Sequence, residues 1–145
     1  MPYILQMHNV TTEHRITHVK VHVIEPQELF VSSLTEVFRD LGLRVDRFSG
    51  EANFRQLLED TPDLIFIDVD FTAQEPLKFI TLLRTLLPKA LIAVYTSMRS
   101  AEWAKACHFS GANAVLTKAA DKDEIVAGLR AMIDTGEFTD VRLRV

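Results

Sequence analysis

The stretch Leu64-Ile65-Phe66-Ile67-Asp68 decides the fold of this chain. Four consecutive apolar residues without alternation fit a strand buried on both faces, as in parallel sheets covered by helices. The acid that closes the run is delivered to the carboxyl edge of the sheet, where open α/β folds keep their sites. Three other runs end in the same manner. Val19-Lys20-Val21-His22-Val23-Ile24 runs into Glu25, Ala90-Leu91-Ile92-Ala93-Val94-Tyr95 into Thr96 and Ser97, and Ala114-Val115-Leu116-Thr117 into Lys118. Side by side, such strands bring two acids, a hydroxyl and an amine into one crevice.

Between these runs the periodicity turns helical. Phe30, Leu34, Val37, Phe38 and Leu41 form an i, i+4, i+7, i+8, i+11 stripe, and Gly42 is placed to stop it. Leu43-Arg44-Val45-Asp46-Arg47-Phe48 alternates with period two, which predicts a strand nearer the sheet edge. Phe54, Leu57 and Leu58 mark a short second helix, and Thr61-Pro62-Asp63 turns the chain into the Asp68 strand. Pro76 opens a third helix carrying Phe79, Ile80, Leu83 and Leu87, closed by Pro88. Ala104, Cys107, His108 and Gly111 give the inward line of a fourth. Asp121 with Glu124 makes a capping-box start to a fifth, with Ile125, Leu129, Met132 and Ile133 inward. Five strands alternating with five helices through short connections predict a doubly wound parallel α/β sheet with right-handed crossovers. The domain is expected over 19–136, with 1–18 an N-terminal tail and 137–145 a C-terminal tail or the start of a linker.

The 145 residues suffice for one domain with its own core, and the 48% hydrophobic and 25% charged content is ordinary for a globular protein. A net charge of −4 carries no footprint for nucleic acid. The single cysteine, Cys107, excludes an internal disulfide and fits a reducing compartment. No apolar stretch approaches the ~20 residues that cross a bilayer, and a cytoplasmic location is expected.

With these residues in place, Lys20 to about Gly136 resembles a receiver domain of bacterial two-component response regulators, the flavodoxin/CheY-like fold with strand order 2-1-3-4-5. The family's phosphoacceptor aspartate ends strand three, here Asp68; its switch hydroxyl ends strand four, here Thr96; its lysine ends strand five, here Lys118. Gly111-Ala112-Asn113-Ala114-Val115-Leu116-Thr117-Lys118 is similar to the family's G-A-D-D-Y-L-T-K run. The resemblance implies a phosphorelay switch and not a turnover enzyme, with at most self-phosphorylation and self-dephosphorylation. It implies a histidine kinase or phosphotransfer protein as partner, and a homodimer through the fourth helix, fifth strand and fifth helix. It also implies Mg²⁺, weakened by Pro26 and held by Glu25, Asp68 and the backbone carbonyl of Asp70, with the Asp70 side chain a partial substitute for the missing acid if it turns inward.

The chemistry stands on its own terms. A carboxylate can hold a phosphoryl group as an acyl phosphate, and the anionic incoming group demands neutralisation by Lys118 and a hydrogen bond from Thr96. Departures from the family pattern point the other way. Pro26 stands where a second metal-binding acid is usual, Val115 replaces the switch aromatic, Ala119 replaces a proline, and Thr72 and Pro76 replace a proline and a glycine. A pseudo-receiver, a phosphorylation-independent interaction module, is therefore the alternative. A phosphatase-type hydrolase using Asp68-Val69-Asp70, with the second acid donating a proton, is a third.

Plainer structural roles compete for several of these residues. Glu25 either lines the pocket or caps the first helix. Thr96 either serves the site or begins a turn with Ser97, and Lys118 is either in the site or a solvated amine. Trp103 and Phe109 are either core or an exposed aromatic surface for a partner. His14, His18 and His22 have helical metal-face spacing, but His22 falls in the first strand, which favours one buried histidine and a tail. Cys107 reads as a small core residue.

Overall fold

A computed structural model describes residues 19–25, 27–50, 53–70 and 75–144. The elements, in chain order, are β1 (Val21–Ile24), α1 (Glu28–Asp40), β2 (Val45–Ser49), α2 (Phe54–Glu59), β3 (Leu64–Asp68), α3 (Pro76–Leu86), β4 (Leu91–Thr96), α4 (Ala101–Ser110), β5 (Ala114–Thr117), α5 (Lys122–Thr135) and β6 (Phe138–Thr139). A 3₁₀ turn, Val141–Leu143, follows. All pairings are parallel, in the order β2-β1-β3-β4-β5-β6.

The unbroken apolar run of β3 has a direct cause. Leu64 and Phe66 face one core layer, with Leu34, Val37 and Phe38 of α1 and Ile125, Leu129 and Met132 of α5. Ile65 and Ile67 face the other, with Leu57 of α2, Phe79, Ile80 and Leu83 of α3, and Ala104 and Cys107 of α4. All four β3 residues are fully buried, each contributing about 2 kcal/mol of apolar burial. Phe66 also meets Phe38 edge-on, with ring centroids 5.8 Å apart. β2, by contrast, is only partly buried at the sheet edge, as its alternating sequence requires.

Helix ends follow their local signals. Gly42 takes φ 75° after α1, where its amide bonds the Arg39 carbonyl. Pro76 stands in the first turn of α3, and the Glu75 carboxylate accepts from the Leu77 and Lys78 amides. The Asp121–Glu124 capping box forms in full at the start of α5.

The C-terminal residues depart from expectation. The sequence predicts five strands and a tail or linker over 137–145; Phe138–Thr139 adds a sixth strand beside β5. Phe138 packs on the α1/α5 layer, and Leu143, 2% exposed, packs on the α2/α3/α4 layer, so the segment straddles the sheet edge. His108 of α4 fastens it, its Nδ1–H donating to the Ala112 carbonyl at 2.9 Å and its Nε2 lying 2.6 Å from the Thr139 hydroxyl. Arg142 joins Asp140 at 3.1 Å and Glu124 at 2.8 Å. The apolar contacts of Phe138 and Leu143 hold this segment down, and residues 1–18 lie outside those described. No helix among the described residues is long and apolar enough to cross a membrane.

Candidate functional site

Four strand ends converge as the sequence predicts. In the parallel register Asp68 pairs with Tyr95, and Thr96 with Thr117, so Thr96 and Lys118 each follow directly on a register partner. Asp68 is 1% exposed and accepts from Lys118 Nζ at 2.7 Å through Oδ2, and from the Asp70 amide at 2.9 Å through Oδ1. Lys118 reaches it between two rings, 5.6 Å from the Tyr95 centroid and 6.0 Å from that of Phe30. It is thus engaged in the crevice and is not a solvated amine.

Glu25 is buried at the crevice, and among the described residues its one carboxylate hydrogen bond goes to the residue ahead of α1 and not to an amide of the helix's first turn. Oε1 accepts from the Gln27 amide at 2.9 Å, just ahead of α1, while Oε2 is buried with no hydrogen-bond partner. Burial, and after it the neighbouring Asp68 charge, push its pKa up to about 7, despite the opposing Gln27 hydrogen bond. A buried acid pair with one orphaned oxygen fits a hard divalent cation, which needs only one or two carboxylates when water and a phosphoryl group complete the shell. Glu25 and Asp68 are that pair. Among the described residues no group of three or more His, Cys, Asp or Glu could hold a metal. Pro26 and Thr72 lie outside the described residues.

The Asp70 carboxylate turns inward, the orientation that compensation for Pro26 requires, and in the crevice it gathers three donors. Thr96 Oγ1 donates to Oδ1 at 2.9 Å, the Ser97 amide to Oδ2 at 2.9 Å, and Lys118 Nζ lies 3.0 Å from Oδ2. Burial would raise the Asp70 pKa, but the bonds from Lys118, Ser97 and Thr96 outweigh it and hold the group below the usual carboxylate range. Lys118 mirrors this: burial would lower its pKa, and the bonds to Asp68 and Asp70 raise it instead. Asp70 lies in the turn after β3, beyond the reach of the strand's two-residue period, so the sequence carried no periodic signal for this bonding pattern. The Ser97 amide, a backbone group, had no sequence signal.

Thr96 is fully buried, lies in the crevice through its bond to Asp70, and also accepts from the Met98 amide at 3.1 Å in the turn that follows. Val115 is fully buried on β5, beneath the site in the α2/α3/α4 layer. On α4, Trp103 is half-buried against the same layer, whereas Phe109 is 96% exposed. Cys107 is buried and its thiol is pushed up to about 12 by that burial, as a core residue's would be. His22 is buried, its pKa lowered by desolvation and then by Arg47, and its Nε2 lies 3.9 Å from Asp60. His14 and His18 lie outside the described residues.

Residues 21–130 match the sequence model of the response regulator receiver domain. No curated protein sequence matches the chain significantly. Among solved structures, a LuxR-family two-component response regulator from Aurantimonas sp. SI85-9A1 is similar at a TM-score of 0.73 and 20% identity, over 83% of this chain and 87% of the other. The isolated REC domain of RcsB from Salmonella enterica serovar Typhimurium, in the presence of the phosphomimetic BeF3−, is similar at 0.73 and 12%, over 86% and 95%. A response regulator protein from Burkholderia pseudomallei, with a phosphorylated aspartic acid, calcium ion and citrate, is similar at 0.65 and 24%, over 79% and 68%. At these identities the structural likeness is one of fold.

Proposed function

The chain belongs to the response regulator receiver domains, and from that premise we propose that it is a phosphorylation-controlled signalling switch whose acceptor is Asp68. The observation that carries the reading is the buried Asp68 carboxylate, held 2.7 Å from Lys118 beside the orphaned oxygen of Glu25. The phosphoryl donor is a phosphohistidine on a histidine kinase or phosphotransfer protein. An Asp68 oxygen attacks phosphorus, the P–N bond breaks, and the imidazole leaves with the bonding pair and takes up a proton. The phosphoryl group remains as an acyl phosphate on Asp68.

Each neighbour has a part. Lys118 offsets the charge that arrives, and the Thr96 hydroxyl is the group that a phosphoryl oxygen would draw toward itself. Glu25, Asp68 and the Asp70 carbonyl would hold Mg²⁺, which would supply further positive charge to the phosphoryl oxygens. The exposed ring of Phe109 on α4 is the surface offered to a protein partner, whereas Trp103 packs half-buried against the core. Association through α4, β5 and α5 must engage β6 and the 141–143 turn, because these lie on that face.

A hydrolase with Asp70 as general acid fits poorly, because Lys118, Ser97 and Thr96 keep that carboxylate ionised. The phosphorylation-independent module is favoured by Pro26 and Val115 in the sequence and, in the structure, by the engagement of Thr96, Ser97 and Lys118 by Asp70. Chemical trapping separates the two. Protein treated with acetyl phosphate and Mg²⁺ is reduced with borohydride, which converts an acyl-phosphorylated aspartate to homoserine. Homoserine at position 68 supports the switch; unmodified Asp68 refutes it and leaves the interaction module.

A further inference from the structure

Three donors from two separate strand ends converge on the carboxylate of Asp70. The Thr96 hydroxyl and the Ser97 amide come from the end of β4, and the Lys118 ammonium from the end of β5. One neutral hydroxyl, one backbone N–H and one cation around a partly buried locus constitute an anion-binding cradle. Lys118 bonds Asp68 as well, at 2.7 Å, so the cradle abuts the proposed acceptor. A phosphoryl group on Asp68 would carry its oxygens toward these same donors. They are already satisfied, with both Asp70 oxygens engaged at 2.9–3.0 Å.

We propose that the Asp70 carboxylate is a built-in occupant of the anion cradle formed by Thr96, Ser97 and Lys118, and that it must be displaced before an anion can settle on Asp68. The inference rests on the reading of Asp68 as phosphoacceptor. Two consequences follow from the contacts. The Thr96–Ser97 turn is held against the site without any covalent modification, because Asp70 supplies the anion that draws it in. Loading of Asp68 is weakened by the fraction of molecules in which the cradle is closed, since apparent affinity falls in proportion to the competent population.

The test compares wild type, Asp70→Ala and Asp70→Asn with beryllofluoride and Mg²⁺ as the probe, binding being followed by ¹⁹F NMR and amide exchange by hydrogen–deuterium mass spectrometry. Asp70→Ala opens the cradle and is expected to bind at least about tenfold tighter, the shift produced by a cradle closed roughly 90% of the time. Asp70→Asn lies between, because its amide oxygen still accepts from Thr96 or Ser97 while its NH₂ meets Lys118 unfavourably. Amide exchange at Ser97 without ligand is expected to be slow in wild type, fast in Asp70→Ala, and slow again once beryllofluoride is bound. A mere loss of negative charge near the site would tighten binding without altering Ser97 exchange, and would overturn the proposal. Wild type and both variants binding equally well would overturn it while leaving Asp68 as acceptor. No binding by any of the three would remove the acceptor reading, and the proposal with it. If Asp70→Ala does not fold, Asp70→Asn binding no tighter than wild type overturns the proposal.

Discussion

Lys118 Nζ lies 2.7 Å from the Asp68 carboxylate, an ion pair that joins the ends of two strands fifty positions apart and leaves the acid fully buried. Neither partner fits the site alone. The aspartate has little access to water, and the lysine stays charged because Asp68 and Asp70 both bond it. Removing one member strands the other.

Lys118→Ala is accordingly expected to lose about 2–3 kcal/mol of stability, at the low end for buried pairs because the lysine side chain keeps 16% exposure. Adding Asp68→Asn should restore part of the loss, since it neutralises the charge left behind. Urea unfolding of the two single variants and the double variant measures both effects. Additive losses would mean that the pair contributes no coupling.

Glu25 makes stability depend on pH with a defined sign. Its folded pKa, about 7, is above the ordinary 4.5, so the folded state holds this proton more tightly than the unfolded chain does. The stabilisation is complete below about pH 4.5 and is lost as pH rises through 7. Glu25→Gln, permanently neutral, should therefore gain on wild type between pH 5 and pH 8, by about 2 kcal/mol. The comparison is made by chemical denaturation with a chelator present, so that no divalent cation offsets the charge. A difference independent of pH would contradict the burial argument.

The sheet and its site edge were legible because burial on both faces leaves an unbroken apolar run. β3 and β4 announce themselves in that way, and the acid, hydroxyl and lysine at the strand ends follow from them. The caps at Gly42, Pro76 and Asp121 were legible because each meets a local backbone requirement. β6 was not, because two residues carry no period, and its place depends on contacts with elements far along the chain. The crevice was readable as a set of residue types but not as a bonding pattern. Whether Asp70 bonds Thr96 or faces solvent depends on a turn geometry that no periodicity encodes.

One trace of β6 did stand in the sequence, the glycine within α5. A Cβ at Gly128 would lie 2.6 Å from Phe138 Cε2 and 2.9 Å from Leu116 Cδ2, so the helix is bare where β6 packs. Gly128→Ala should destabilise by roughly 1–2 kcal/mol, although alanine is favoured over glycine in a helix by about 1 kcal/mol. Combining it with Phe138→Ala should cancel part of the added loss, because the nearest clash is with that ring and the Leu116 contact remains. Thermal unfolding of the four proteins provides the cycle, and a stabilising Gly128→Ala would mean that β6 does not pack on α5 in solution.

The central claim is that Asp68 accepts a phosphoryl group, and intact-mass measurement after incubation with acetyl phosphate and Mg²⁺ tests it most directly. The account predicts a gain of one phosphoryl group by the wild-type chain, absent from Asp68→Asn and removed by hydroxylamine. No gain in wild type, or a gain that persists in Asp68→Asn, would contradict it.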